Sequence, residues 1–469
     1  MRILMVASEA TPFAKTGGLG DVVGALPAAL AARGEQVAVV LPAYDSNKYP
    51  HPTREVWHGL VVPLGPGFVV DIRELVLDGV TFYFIECPPL FHRGQLYGSG
   101  DDYLRFAVLS LAALGVVRHL FRPEIIHCHD WQAALVPVYA RRYFAGHPSL
   151  MGVRILFTIH NLRFQGRFWE GALAQVGLGR DLFTSDLMEF YGDVNFMKGA
   201  IAFSDAISTV SPTYAREIQT PEYGEGLDGF LRIRSERIFG ILNGVDYSVW
   251  SPAADPFLPA HFSDANLAGK LECKRRLLAQ LGFPPEATER PILAVISRLD
   301  GGQKGMELIA DIIWSLLDND ITFILLGSGD AVLENFFRGV ERARHDKARC
   351  WIGFDNGMAH HIEAGADIFV MPSRYEPCGL NQMYSLKYGT PPVVRATGGL
   401  NDTIDEDTGF KFGPYAGWAL WDAIDRAITA YGDRDGWTVR MRRGMTKDFS
   451  WAASAAQYSE LYMNRLRRF

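Results

Sequence analysis

Cysteine is scarce in this chain of 469 residues: Cys87, Cys128, Cys273, Cys350 and Cys378 are all there is. The number is odd and no pair stands as CxxC, which excludes a disulfide framework and a cysteine zinc site. Positive charge is not in excess either. Lys and Arg number 46 against 53 Asp and Glu, a net charge of −7, which argues against a nucleic-acid partner. No apolar run reaches the roughly 18 residues that span a bilayer. The first residues enter a strand pattern rather than a cleavable apolar leader. A cytoplasmic protein without a membrane partner is therefore expected. No fixed repeat period is visible, so a solenoid is excluded. Neither GxGxxG nor a P-loop occurs, and with them go a nicotinamide-dependent oxidoreductase and a P-loop NTPase.

What is present is a repeated alternation of strand-like and helix-like segments. RILMVAS (2–8), QVAVVL (36–41), TFYFIEC (81–87), EIIHCHDW (124–131), RILFTIHN (154–161) and DAISTVS (205–211) are buried-strand runs in the first half. PILAVIS (291–297), ITFILLG (321–327), DIFVMPS (367–373) and PPVVRA (391–396) repeat the pattern in the second. Strands alternating with helices predict parallel sheets wrapped by helices. Between them, residues 240–265 are rich in Pro, Asp and Ser and lack period, so the domain junction falls there. The expected organisation is one Rossmann-like domain over 1–243, a second over 244–447, and a tail helix over 448–469 packing back on the first. Trp451, Tyr458, Leu461 and Leu466 form the tail's apolar stripe. The fold class is α/β, with a cleft at the C-terminal strand ends and hinges at the junction and before the tail.

Each half opens with strand, Gly/Lys loop, helix. In the first, KTGGLG (15–20) precedes a helix expected over 21–33, with Asp21 as its cap and Pro27 kinking or confining it. Backbone amides at such a helix start suit an anion, and Lys15 adds a full charge. In the second, RLDGGQKG (298–305) places Arg298 and Lys304 on a strand-to-helix turn. Lys15, Arg298 and Lys304 together supply the cations that a departing diphosphate requires. Glu376, in SRYEPCGLNQ (373–382), stands before another helix. It is placed to bind sugar hydroxyls or to stabilise a cationic sugar carbon. Cys378 has no histidine near it in sequence and reads as packing rather than as a nucleophile.

His160 and Asp130 lie at strand ends of the first half. His127 and His129 adjoin Asp130 in HxHD, a pattern zinc enzymes also use. They are expected on alternate faces of their strand, so that one alone faces the cleft, and no metal is assigned. DND (318–320), DED (405–407) and DRD (433–435) resemble the metal-binding DxD of some sugar transferases, but each reads as a solvated turn.

KTGGLGDVVGALP, HCHDWQ, FTIHN, FYGDVNFMKGA (190–200), ILNGVDYSVWSP (241–252) and SRYEPCGLNQMYSLKYGTPPVVRATGGL (373–400), in that order, resemble the bacterial glycogen synthase and plant starch synthase family. The resemblance covers nearly the whole chain. It implies a GT-B fold of two Rossmann-like domains facing across a cleft. It implies retaining transfer of glucose from ADP-glucose to the non-reducing 4-OH of an α-1,4-glucan such as glycogen. No metal and no cofactor beyond the donor substrate are implied. On the family pattern Lys15 binds the nucleotide sugar, with backbone contacts from Gly17 and Gly18 and support from Asp21. Arg298 and Lys304 grip the diphosphate. Glu376 meets the glucose, with amides of Cys378, Gly379 and Leu380. His160 lies beside the anomeric carbon, and Asn161 and Asn243 line the same cleft. Tyr97, Asp130 and Trp131 face the acceptor. Phe354 stands where the family usually has a tyrosine stacked on adenine. The chain carries one residue more than the family between Arg298 and Lys304, and LYGSGDDYLRF (96–106) is shorter than the family's stretch. A non-catalytic glucan-binding protein on the same fold is the alternative, and the retained Lys15, Arg298, Lys304 and Glu376 argue against it.

Overall fold

The computed structural model describes residues 1–65 and 67–466. It divides into two compact units. The first comprises Met1–Val210, Ala215–Gly244 and the segment from Trp451 onward, and the second Ser211–Tyr214 and Val245–Ser450. The chain thus leaves the first unit at Gly244 and returns to it at Trp451.

Among the described residues, the first unit is built on a sheet of nine strands. Their order is Ile238–Gly240, Ala206–Thr209, Arg154–Ile159, Ile125–His129, Arg2–Val6, Gln36–Pro42, Val80–Glu86, Phe68–Leu77 and Arg54–Val62. The first seven run parallel; the last two are an antiparallel hairpin at one edge. Runs such as ILMV and VAVVL form central strands because both faces are covered, so no polar alternation is needed. The hairpin strands, half in solvent and broken by register shifts, show no such run and were not expected.

Helix Gly18–Ala32 covers one face of this sheet with Val22, Val23, Leu26 and Leu30, and it ends at Gly34 with φ +90°. Full burial of a leucine contributes roughly 2 kcal/mol. The helix starts three residues before Asp21, so Asp21 is not its cap; Gly17 holds that position and no side chain caps it. The helix also runs on past the buried Pro27. Helix Trp451–Glu460 and the wider turn Leu461–Arg465 enter the same core through Trp451, Tyr458, Leu461, Tyr462 and Leu466. Residues 467–469 of the expected tail helix lie outside the described residues.

The second unit, among the described residues, has a parallel sheet of six strands. Their order is Ala348–Ile352, Thr322–Gly327, Ile292–Ile296, Ile368–Met371, Pro392–Arg395 and Phe410–Phe412. Helix Met306–Asp318 covers one face with Leu308, Ile309, Ile313, Leu316 and Leu317. In each unit the chain's strand order reverses beside the first strand. In the first unit the reversal lies between Arg2–Val6 and Ile125–His129; in the second, between Ile292–Ile296 and Ile368–Met371. Loops leaving two such neighbouring strands diverge to opposite sides and leave a crevice, the usual ligand position in open parallel sheets.

Candidate active site

The crevice of the second unit holds the loops SRLDGGQKG and PSRYEPCGL, which leave adjacent strands. Between them lies a cavity of about 250 Å³ lined by Arg298, Lys304, Ser373, Glu376, Gly379 and Leu380, among others. Lys304 Nζ donates to Glu376 Oε2 at 2.7 Å, and Ser373 Oγ donates to the same oxygen at 3.0 Å. The pair is largely buried, with side-chain exposures of 20% and 7%. Arg298 Nη2 donates to Gln303 Oε1 at 2.9 Å, its Nη1 lies 3.9 Å from Asp300 Oδ2, and the side chain is 66% exposed. The RLDGGQKG loop is closed by a turn. Asp300 Oδ1 accepts from the amides of Gly302 and Gln303, and both cations still reach the cavity. Gly305 then enters the helix at φ +69°, where a Cβ would lie 2.1 Å from the Pro372 carbonyl oxygen. Only glycine allows the two loops this approach. Gly379, at φ +75°, turns EPCG into helix Asn381–Lys387. Cys378 is buried and is not among the residues lining the cavity. Phe354 also lies outside the lining, 88% exposed beyond the edge strand Ala348–Ile352.

The first unit's crevice holds the KTGGLG loop and the ends of the HCHD and FTIHN strands. Lys15 Nζ donates to Asp21 Oδ1 at 2.7 Å, with the lysine half exposed. A Cβ at Gly17 or Gly18 would meet nothing within 4 Å, so the loop's outer backbone lies open. At Gly20 a Cβ would press on the Lys15 stem at 3.1 Å. Glu9, which nothing in the sequence singles out, sits buried beneath the loop. It accepts hydrogen bonds from Thr16 N, Thr16 Oγ1, Gly17 N and the Tyr97 hydroxyl.

Asp130 ends its strand at φ +56°, strained for a residue with a Cβ. Its carboxylate accepts from the amides of His160 (2.8 Å) and Asn161, so it fastens the FTIHN turn. Burial outweighs those two bonds and pushes its carboxyl up to about 7. His160 Nε2 meets His129 Nδ1 at 3.0 Å, and burial pulls the His160 imidazole down to about 3, leaving it neutral at neutral pH. His127 and His129 do not alternate faces. Residues two apart on a strand share one face, and their rings lie 4.0 Å apart. His127 is spoken for by the Tyr462 hydroxyl and by Thr158. Trp131 is wedged against Phe106 and Phe168, and Gly166 leaves room for its ring. Asn161 Oδ1 accepts from Arg163 N. Asn243 is buried, with Oδ1 lacking a hydrogen-bond partner among the described residues.

Among the described residues, the one His/Asp/Glu group spaced to hold a metal is Glu55, His58 and Asp71, on the hairpin at the sheet edge. The acidic triplets are engaged elsewhere. Asp318 and Asp320 pair with Arg344 and Arg290, Asp405 and Asp407 with Lys447 and Arg443, and Asp433 caps helix Arg434–Met445.

The family described as starch synthase catalytic domain matches residues 2–233, and glycosyl transferases group 1 matches residues 290–430. The chain is 48% identical over 475 residues to a glycogen synthase of Anaeromyxobacter sp. (strain Fw109-5), covering 98% of this chain and 99% of that one. It is 46% identical to a glycogen synthase of Koribacter versatilis, covering 98% of both. The catalytic domain of starch synthase IV from Arabidopsis thaliana, solved with ADP and acarbose, superposes with a TM-score of 0.91 at 38% identity, covering 100% and 99% of the two chains. A sucrose-phosphate synthase from Thermosynechococcus elongatus shares the fold, with a TM-score of 0.63 at 19% identity and full coverage of both chains. Two Rossmann-like units with a basic crevice define a glycosyltransferase of GT-B fold. Within that class, the chain belongs to the starch synthase family, together with the bacterial glycogen synthases.

Proposed function

We propose that this enzyme transfers glucose from ADP-glucose to the non-reducing 4-OH of an α-1,4-glucan, with retention at the anomeric carbon and release of ADP. The observation that carries the reading is the Lys304–Glu376 pair beside Arg298 in the crevice of the second sheet. It puts a phosphate-binding cation and a sugar-binding carboxylate in one cavity. An arriving diphosphate attracts Lys304 and the largely exposed Arg298 guanidinium. As Lys304 turns to phosphate, Glu376 is released toward the sugar hydroxyls, where it offsets positive charge developing at the anomeric carbon. Lys15 adds a further cation for the leaving diphosphate, and the open outer backbone at Gly17 and Gly18, where no Cβ intrudes, admits the donor closely. Phe354 offers an aromatic face to the adenine. His160, held neutral by burial, adds no positive charge where a sugar cation forms, and its carbonyl or ring stabilises that cation. Tyr97, Asp130, Trp131, Asn161 and Asn243 shape the acceptor side.

Front-face attack of the acceptor hydroxyl is the favoured route to retention. The carboxylates at hand are already engaged, Glu376 by Lys304, Asp130 by main-chain amides and Glu9 by Thr16, Gly17 and Tyr97. No metal is assigned a step. The reading carries a cytoplasmic location, where five buried thiols outside any disulfide persist in reduced form. Incubation with ADP-glucose and glycogen tests it: ADP is released only when both are present, and kcat/KM for ADP-glucose exceeds that for UDP-glucose. Equal efficiency with the two donors refutes the donor assignment, and a trapped covalent glucosyl-enzyme refutes front-face attack.

A further inference from the structure

The KTGGLG loop has little of its own to hold it. Lys15, Thr16, Gly17 and Gly18 are all exposed, a Cβ at Gly17 or Gly18 would meet nothing within 4 Å, and the Lys15–Asp21 pair on the outer side is itself half in water. What fixes the loop is on its inner side. Glu9, 3% exposed, accepts from Thr16 N at 2.5 Å and Gly17 N at 3.2 Å through Oε2. Through Oε1 it accepts from Thr16 Oγ1 at 2.7 Å and from the Tyr97 hydroxyl at 2.5 Å. That hydroxyl is also 2.7 Å from Ser8 Oγ. One buried carboxylate therefore ties the lysine loop to the segment that bears Tyr97, 88 residues away in sequence from Glu9.

We infer that Glu9 is the positioning residue of the active-site loop, setting the backbone of Thr16 and Gly17 so that Lys15 is presented to the donor. The inference rests on the reading that this loop binds the nucleotide sugar. Glu9 itself touches neither substrate. It acts by pre-organisation: a loop misplaced by about 1 Å costs on the order of 10²-fold in rate.

The two carboxylate oxygens differ in what they require. Oε2 faces two N–H groups, which only donate. Oε1 faces two hydroxyls, which rotate and also accept. Glutamine therefore replaces Glu9 without an orphaned donor, its oxygen facing the amides and its NH₂ facing the hydroxyls. Alanine leaves the Thr16 and Gly17 amides without their acceptor.

The test has two arms. In the first, hydrogen exchange is followed for peptides spanning residues 10–20 in the full chain without substrate. Glu9→Ala accelerates exchange of the loop amides at least about 10-fold, and Glu9→Gln leaves it near wild type. In the second, transfer from ADP-glucose to glycogen is measured in a double-mutant cycle with Lys15→Ala. Glu9→Ala lowers kcat by about 10²-fold in the wild-type background and by under about 5-fold in the Lys15→Ala background. A residue acting through Lys15 has little left to lose once Lys15 is gone. Glu9→Gln restores turnover to within about 5-fold of wild type. If Glu9→Ala does not fold, Glu9→Asp, drawn back by about 1.5 Å, enters the same cycle. Unchanged loop exchange overturns the inference, as does an equal loss in both backgrounds. The exchange arm needs no donor. An enzyme that ignores ADP-glucose therefore refutes the proposed reaction, while the loop's tether to Glu9 is still decided.

Discussion

Replacing Lys304 by alanine is expected to cost stability and activity together, whereas replacing Lys15 costs activity alone. The two lysines have the same proposed task, but their surroundings differ. Lys304 faces a carboxylate whose side chain is 7% exposed, and its own is 20% exposed. Without it, Glu376 keeps the Ser373 hydroxyl. Breaking a fully buried pair costs about 3–5 kcal/mol. Water that reaches the exposed fifth of Lys304 screens part of this, leaving about 2 kcal/mol. For a unit of this size, 1 kcal/mol moves Tm by about 2–4 °C, so Lys304→Ala lowers it by roughly 4–8 °C. Lys15 is 50% exposed and its partner Asp21 33%, a pair worth under about 1 kcal/mol. Each substitution removes one preorganised charge at the leaving diphosphate and should lower kcat/KM by about 10²–10³. The companion change Glu376→Gln, made in the Lys304→Ala background, removes the orphaned carboxylate and restores Tm without restoring turnover. Calorimetry and steady-state ADP release on the four variants check this. Unchanged Tm in Lys304→Ala, or near-normal turnover of Lys15→Gln at saturating donor, refutes the reasoning.

Asp130 carries a pH signature. Its folded carboxyl lies at about 7 against an ordinary 3.8, so the native state holds a proton that the unfolded chain has lost. Its contribution is full below about pH 4 and is lost as pH rises toward 7. Asp130→Asn should therefore flatten the fall of denaturant midpoint over that window; an unchanged slope counts against it. His160 runs the other way. Its imidazole is pulled down to about 3, so its contribution is full above its ordinary 6.5 and lost as pH falls toward 3. Phe354→Ala, at an 88% exposed side chain, should raise the donor KM roughly 5-fold, about 1 kcal/mol of lost stacking, with Tm unmoved. Phe354→Tyr should match wild type in the same assay. Gly305→Ala places a Cβ 2.1 Å from the Pro372 oxygen at φ +69°, and urea titration should show a loss exceeding about 2 kcal/mol.

The parts of this protein that sequence made legible are those whose physics is local. ILMV, VAVVL and FILLG are short, largely β-branched or apolar runs of the kind that suits strands covered on both faces, and all are such strands. A Gly/Lys loop between such a strand and a helix opens at the strand's C-terminal end, and both do. The hairpin Arg54–Leu77 escaped because an edge strand half in water, interrupted by bulges, has neither an apolar run nor clean alternation. Asp21 is not the cap the sequence suggests because a helix opened by two glycines around Leu19 gives no sign of its first turn, and the charge that matters to Asp21 is Lys15. His127 and His129 were set on opposite faces although a period of two puts them together.

What stayed hidden shares one property: it depends on segments distant in sequence. Glu9 reads as an unremarkable acid after a strand. Its role exists only because Thr16 folds back over it and Tyr97 arrives from another loop. The same holds for the Lys304–Glu376 pair, 72 residues apart, whose two members were each legible but whose contact was not. That contact changes the chemistry assigned to both. A lysine and a glutamate that neutralise each other before the donor arrives attract a diphosphate less than a free lysine does, and bind a sugar less than a free carboxylate does. On the proposed reading, binding the donor separates them, so that phosphate and sugar are recognised jointly: a diphosphate alone leaves Glu376 orphaned, and a sugar alone leaves Lys304 orphaned. A pair of this kind favours the intact nucleotide sugar over either of its halves.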